Sequence, residues 1–140
     1  MLNYNQFVLI SAELSHLSPE ENNTRTNQLE LMLRHHGFKP VLMKGVYKGS
    51  SEISFFVPIG IFSVGKSMTH LDDIVHLEFI AFDRFQQESI LVQYSDGHSR
   101  LHYPNHVEHI GKVREVTKDV ALTKDAYTFY PKLGKYYATV

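Results

Sequence analysis

The chain has 140 residues, a formal net charge of −1, no cysteine and no tryptophan, which suits one well-filled core and excludes a disulfide framework and thiolate metal sites. Lys and Arg are scattered, so no basic stripe argues for nucleic acid. The start, "MLNYNQFVLISAEL", carries no basic leader and no apolar run long enough for a membrane span; the expectation is one cytoplasmic domain over 1–140 that handles a small polar ligand.

The stretch "NQFVLISAE" (5–13) is short and β-rich and predicts the first strand. In "SPEENNTR", Ser18 is a helix N-cap, Pro19 stands where its missing N–H does no harm, and Glu21 completes a capping box. Leu29, Met32, Leu33 and His36 continue at helical spacing, and Gly37 supplies the stop. "KPVLMKGVY" (39–47) and "EISFFVPIGIF" (52–62) predict a hairpin across the turn "KGSS". A second helix follows over 70–85, where Leu71, Ile74, Val75, Phe79, Phe82 and Phe85 keep the helical period. "ESILVQYS" and "HSRLHYP" flank the turn Asp96-Gly97. Beyond 105 the chain reads as strand or helix, ending in the aromatic stretch "YTFYPKLGKYY".

The order strand, helix, strand, strand, helix, strand is that of a ferredoxin-like α+β fold: a βαββαβ antiparallel sheet with two helices on one face, a core over 5–103 and a C-terminal extension over 104–140. In that topology one rim of the sheet collects Ser11 and Glu13, Asn22 and Arg25, Tyr47, Glu52, and Gln87 and Glu88. Asn22 and Arg25 lie seven and four residues before Leu29, on the same helix face, so they either find partners against the sheet or run past its edge into solvent.

"GIFSVGKS" (60–67) matches the phosphate-loop pattern, with Lys66 and Ser67 as the ligand positions. Its interior is Ile61, Phe62 and Val64, and too little chain follows for a parallel nucleotide-binding sheet; a plain strand-to-helix connection using Gly60 and Gly65 fits as well. His98, His102, His106 and His109 are suggestively spaced, yet Pro104 breaks any helix that would align the last three, so no metal site is expected. His35 and His36 suit the C-terminal end of a helix dipole. The sequon "NNT" (22–24) is read as chance in a chain with no export signal. Glu52, with Tyr47 and Glu88, stands either as an ordinary turn carboxylate or as part of a site on the rim.

Several segments together resemble the phage-encoded S-adenosylmethionine lyases, formerly called hydrolases. They are the strand "FVLISA", the helix start "ENNTR" with Asn22 and Arg25 at N-x-x-R spacing, "YKGSSEISFFV" and "FQQESILVQY", spanning about residues 5 to 100. The resemblance implies a compact α+β protomer and a homotrimer with active sites between subunits. It also implies conversion of S-adenosylmethionine into 5'-methylthioadenosine and homoserine lactone, no cofactor, and a role during infection in disarming host restriction and modification. By the same resemblance Glu52 is the essential acid, Tyr47 its substrate-facing partner, and Gln87 or Glu88 a contribution from an adjacent subunit. The expected set is therefore Glu52 and Tyr47 as catalytic residues with Ser11, Asn22, Arg25, Gln87 and Glu88 as substrate-binding residues. Two other readings stay open: a trimeric ligand-sensing module of ferredoxin-like type without activity, and a phosphate-loop nucleotide-binding protein.

Overall fold

A computed structural model of the chain describes residues 6–47, 49–60 and 70–140, with Tyr47, His70 and Leu71 described by backbone alone. The strands are β1 (Phe7–Ser11), β2 (Val41–Tyr47), β3 (Ser50–Pro58), β4 (Ile90–Gln93), β5 (Ser99–His102), β6 (Val107–Gly111), β7 (Val113–Val116), β8 (Ala126–Tyr130) and β9 (Lys135–Thr139); the helices are α1 (Pro19–His35), α2 (His70–Phe79) and α3 (Lys118–Ala121). A π-helical turn, Ile80–Arg84, extends α2.

Both ends of α1 follow from local chemistry. Ser18 Oγ accepts the Glu21 amide at 3.1 Å while Glu21 Oε1 accepts the Ser18 amide at 3.4 Å. At the other end Gly37 takes φ +88°, which lets the Gly37 amide reach Arg34 O and the Phe38 amide reach Leu33 O. This is a Schellman stop, and Phe38 closes it by packing in the core with Leu33.

The expected ferredoxin-like fold with an appended tail is overturned. Among the described residues nine strands form one sheet in the order β6-β5-β4-β1-β3-β2-β8-β9-β7, and every paired neighbour is antiparallel. Segment 104–140 contributes four of these strands, and β2 and β4 are not edges: β8 from that segment covers β2, and β5, which precedes it, covers β4. The two outermost strands, β6 and β7, are separated in sequence by Lys112 alone. A sheet whose ends are covalent neighbours has to curl back on itself, and the result is a nearly closed antiparallel barrel. Gly111 makes the corner at φ +96°, with a bulge in the β5–β6 pairing next to it. A Cβ at this position would lie 2.9 Å from Val140 O, so the corner requires glycine for space as well as for dihedral.

Strand alternation divides the apolar residues between two layers. Val8, Ile10, Phe55, Val57 and Val92 pack outward against Leu29 and Leu33 of α1 and Ile74 and Leu77 of α2. Phe7, Met43 and Phe56 face inward with Leu9, Val41, Leu91, Val113 and Tyr130 around them, and the Phe7 and Phe56 rings stand 4.5 Å apart. β1 and β3 are therefore apolar on both faces, and their sequences read as near-continuous hydrophobic runs. The inward cluster fills one part of the barrel; another part is hollow. The aromatic tail is built into the wall: Tyr137 is buried, and Tyr136 packs against Phe129 at 4.8 Å and Tyr127 at 5.9 Å.

Candidate active site

The hollow part of the barrel is a cavity of about 570 Å³, within the usual range for a small-molecule site. Its walls include Leu9, Ser11, Leu91, Leu101, Ile110, Val113, Thr128 and Tyr137, and Glu13, Gln86, Gln87 and Glu88 also line it. Glu52 projects into it from β3. Directly across the ladder Glu52 pairs with Gly45 of β2, and a Cβ on Gly45 would meet Glu52 Cγ at 3.7 Å. The missing side chain leaves room for a carboxylate where a larger residue would crowd it.

Glu52 is exposed, but its surface looks into a walled cavity. The protein atoms around it disfavour the charged form, and the nearby Glu13 carboxylate adds repulsion; both push the Glu52 carboxyl above the ordinary 4.5. The wall carries three carboxylates, Glu13, Glu52 and Glu88, and among the described residues no Lys, Arg or His lines it. Tyr127 and Tyr137 are its aromatic members. Such a cavity is suited to a cation and hostile to a phosphate.

The π-helical turn shapes one side of the site. The wide i→i+5 turn closes with the Phe85 amide on Ile80 O, and the Gln87 amide reaches Ala81 O. Gln86 follows with φ 50°, a left-handed conformation that costs a non-glycine residue energy and here turns the chain toward the cavity. π-turns occur often at functional sites.

Of the residues expected to bind substrate, Ser11, Gln87 and Glu88 line the cavity with Glu52, all within one chain. Asn22 and Arg25 do not line it. They lie on the sheet-facing side of α1 as the periodicity implied, and their polar groups are engaged mainly on backbone. Asn22 accepts from Leu14 N at 2.8 Å and donates to Leu14 O at 3.0 Å. Arg25 Nε donates to Ala12 O at 2.7 Å, and its terminal nitrogen donates to Phe85 O and Gln86 Oε1. Their work is to hold the rim. Tyr47 ends β2, its backbone facing Ser50 and Ala126.

The phosphate-loop match falls mostly on 61–67, outside the described residues. Its first glycine is described, and the Gly60 amide donates to Asp73 Oδ2 at 2.7 Å, so a carboxylate already occupies one amide such a loop would turn toward an anion. The histidines have separate roles. His102 is buried, with Nε2 2.7 Å from the Tyr94 hydroxyl and Nδ1 3.4 Å from Glu78, while the His106 ring stacks on Tyr103 at 4.3 Å. No group of three or more His, Cys, Asp or Glu among the described residues is placed to hold a metal. No described helix is long and apolar enough to cross a membrane.

An acid-lined cavity beside Glu52, Gln87 and Glu88 gives a comparison with known families something specific to explain. The model of the S-adenosylmethionine lyase family matches residues 8–140. The chain belongs to the S-adenosylmethionine lyase family. Membership covers the segment 104–140 that closes the barrel, and it makes S-adenosylmethionine the substrate and lyase the class of activity. No curated protein matches the chain.

Several contributors to this cavity carry no motif. Gly45 and Ser54 lie inside ordinary strands, and Thr128 and Tyr137 come from the tail. The enrichment of tyrosine, phenylalanine and threonine in "AYTFY" and "KYYAT" was the available signal for those last strands.

Proposed function

We propose that this lyase cleaves S-adenosylmethionine inside the barrel cavity by intramolecular lactonisation, yielding 5'-methylthioadenosine and L-homoserine lactone, and that it serves to deplete the methyl donor used by host restriction and modification. The observation that carries the chemical reading is the wall of three carboxylates with, among the described residues, no basic side chain, and with Glu52 set into it opposite Gly45. The role against restriction rests on the family resemblance.

The substrate carries a sulfonium and an ammonium as cationic centres and one carboxylate. In the reaction the carboxylate oxygen attacks the γ carbon, the C–S bond breaks, and its electron pair returns to sulfur. The leaving group is a neutral thioether, so no proton has to be delivered to it, and the attacking carboxylate is already ionised at neutral pH. The protein's task is to fold the methionine tail onto its own γ carbon and to replace water around two opposite charges that cancel in the transition state. Glu52 orients the ammonium and balances the cationic centre, and the tyrosine rings of the wall offer a face to the sulfonium or the adenine. Gln87 and Glu88 are assigned to the substrate from the cavity wall, and Tyr47 is its catalytic partner at the end of β2.

An internal nucleophile acts at an effective molarity of roughly 10⁵ M or more, far above that of water. Homoserine lactone is therefore the expected first product, with no solvent oxygen on the γ carbon. Turnover in ¹⁸O-labelled water, followed by mass spectrometry at early times, reads this directly. Label on the γ oxygen would make Glu52 a base for water and the reaction a hydrolysis. No turnover of S-adenosylmethionine would leave a binding protein without activity.

Assembly as a homotrimer with sites between subunits belongs to the same proposal and rests on the resemblance alone. The aromatic tail lends it no support, since those rings are built into the barrel wall. Light scattering at micromolar concentration is expected to give the trimer mass; a monomer that turns over substrate would place the whole site in one chain.

A further inference from the structure

The backbone of residues 12–14 is held at every step. Arg25 Nε binds Ala12 O at 2.7 Å, Gln87 Nε2 binds Glu13 O at 3.1 Å, and Asn22 takes both the N–H and the C=O of Leu14. Three side chains from two other parts of the chain thus fix one residue's surroundings, and that residue is Glu13.

Glu13 in turn reaches β3. The β1–β3 ladder ends at the pair Ser11 and Ser54. Past it β1 lifts away, and the next β3 residue, Ile53, finds side chains in place of strand backbone. Glu13 Oε2 accepts the Ile53 amide at 2.7 Å, and Ser11 Oγ donates to Ile53 O at 2.8 Å. Ile53 is the residue after Glu52, so this clamp sets where the Glu52 Cα stands and how its side chain enters the cavity.

We propose that Glu13 is the positioning residue for Glu52, holding the β3 backbone where β1 leaves the sheet and supplying a second negative charge that fits the cavity to a substrate with two cationic centres. This rests on the lyase reading for the substrate, though not for the clamp. An uncharged hydrogen-bond acceptor would also hold Ile53, if less strongly, so the clamp alone does not call for a charge. A carboxylate beside another carboxylate is unfavourable unless a cation comes between them, and S-adenosylmethionine brings that cation. Its thioether product, 5'-methylthioadenosine, is neutral and has no such hold on the pair. The remaining ionisable side chains lining the cavity, among the described residues, are Glu88, Tyr127 and Tyr137.

The conservative variant separates the two roles. Glu13→Gln keeps an oxygen for the Ile53 amide and removes the charge, whereas Glu13→Ala removes both. The direct readout is a ¹³C NMR titration of the Glu52 side-chain carboxyl, which needs no turnover. Its midpoint should move to lower pH in Glu13→Gln, because a like charge has gone. In kinetics with S-adenosylmethionine, the Gln variant should keep kcat within about threefold at neutral pH while KM rises about three- to tenfold, as one lost charge at short range implies. Inhibition by 5'-methylthioadenosine should stay within about twofold. Glu13→Ala should in addition lose kcat, by about tenfold or more, as the clamp on Ile53 goes. An unchanged Glu52 midpoint in Glu13→Gln overturns the proposal, as does a Gln variant as depressed in kcat as Ala. Absence of turnover in the unmutated protein with a shifted midpoint would strike the lyase reading and leave the Glu13–Glu52 coupling standing.

Discussion

Glu52→Gln should abolish turnover of S-adenosylmethionine while the protein stays folded. A preorganised charge at the reacting centre is worth about 10²–10³-fold in rate when removed, and Gln has nearly the same shape. Stability should respond in the opposite sense. The folded state holds the Glu52 proton more tightly than the unfolded chain, because desolvation by the surrounding cavity wall and repulsion from Glu13 disfavour its ionised form. The unmutated protein therefore loses stability as pH rises from about 4.5 through the higher folded-state value. Glutamine does not ionise and escapes that loss. Melting temperatures of the two proteins should coincide at pH 4, and the variant should be equal or higher at pH 8. A variant that retains activity would remove Glu52 from the reaction, and one that melts much earlier at pH 8 would make its carboxylate a structural group.

Arg25→Ala should cost both stability and activity, because the guanidinium ties α1 to the end of β1 and to the segment after the π-turn in one step. Its hydrogen bonds to Ala12 O and Phe85 O are charge-assisted and partly buried. Removing the donor leaves carbonyls short of a partner, at a cost of about 2–3 kcal/mol, readable as a lower urea midpoint. Activity should fall about tenfold or more, since a shift of one ångström in the groups around a reacting centre is enough for that. Arg25→Lys reaches fewer acceptors and should fall between the two. If Arg25 instead bound the substrate carboxylate, alanine would raise KM and leave the urea midpoint where it was.

Local signals in the sequence were legible where a residue's role is settled by its neighbours in the chain. Ser18, Glu21 and Gly37 mark α1 because capping needs only a few adjacent residues, and Asp96-Gly97 marks the β4–β5 turn for the same reason, with Gly97 at φ +85°. Barrel closure was not legible. Residues 107–116 mix Glu108, His109, Arg114 and Glu115 with apolar side chains, and it is pairing, of β6 with its neighbour β5 and of β7 with distant β9, that makes them strands. Counting the strands that announced themselves therefore stopped short and suggested a smaller, open sheet.

The site divides along the same line. Glu52, Gln87 and Glu88 could be brought to one rim from strand order alone, and they do line one cavity. The helix face of Asn22 and Arg25 was readable from its spacing, but their acceptors were not, since backbone carbonyls at 12, 14 and 85 leave no trace in residue identity. Glu13 was hidden more deeply. A carboxylate that replaces a strand partner has no spacing rule, and it is recognised only when the ladder is seen to end one residue earlier.

Closure of the barrel through Gly111 and Lys112 also bears on how the molecule acquires its function. Leu9 and Thr139 line the same cavity, so residues from nearly opposite ends of the described chain must meet before any substrate can be enclosed. Contacts of such separation form late and slowly, because loop-closure entropy has to be overcome before they contribute. Conversely, a ligand that binds only the closed form holds the two ends together by mass action. With the substrate bound in this cavity as proposed, substrate supply and barrel integrity would be one linked equilibrium, and the protein would be most secure against opening when the methyl donor is abundant.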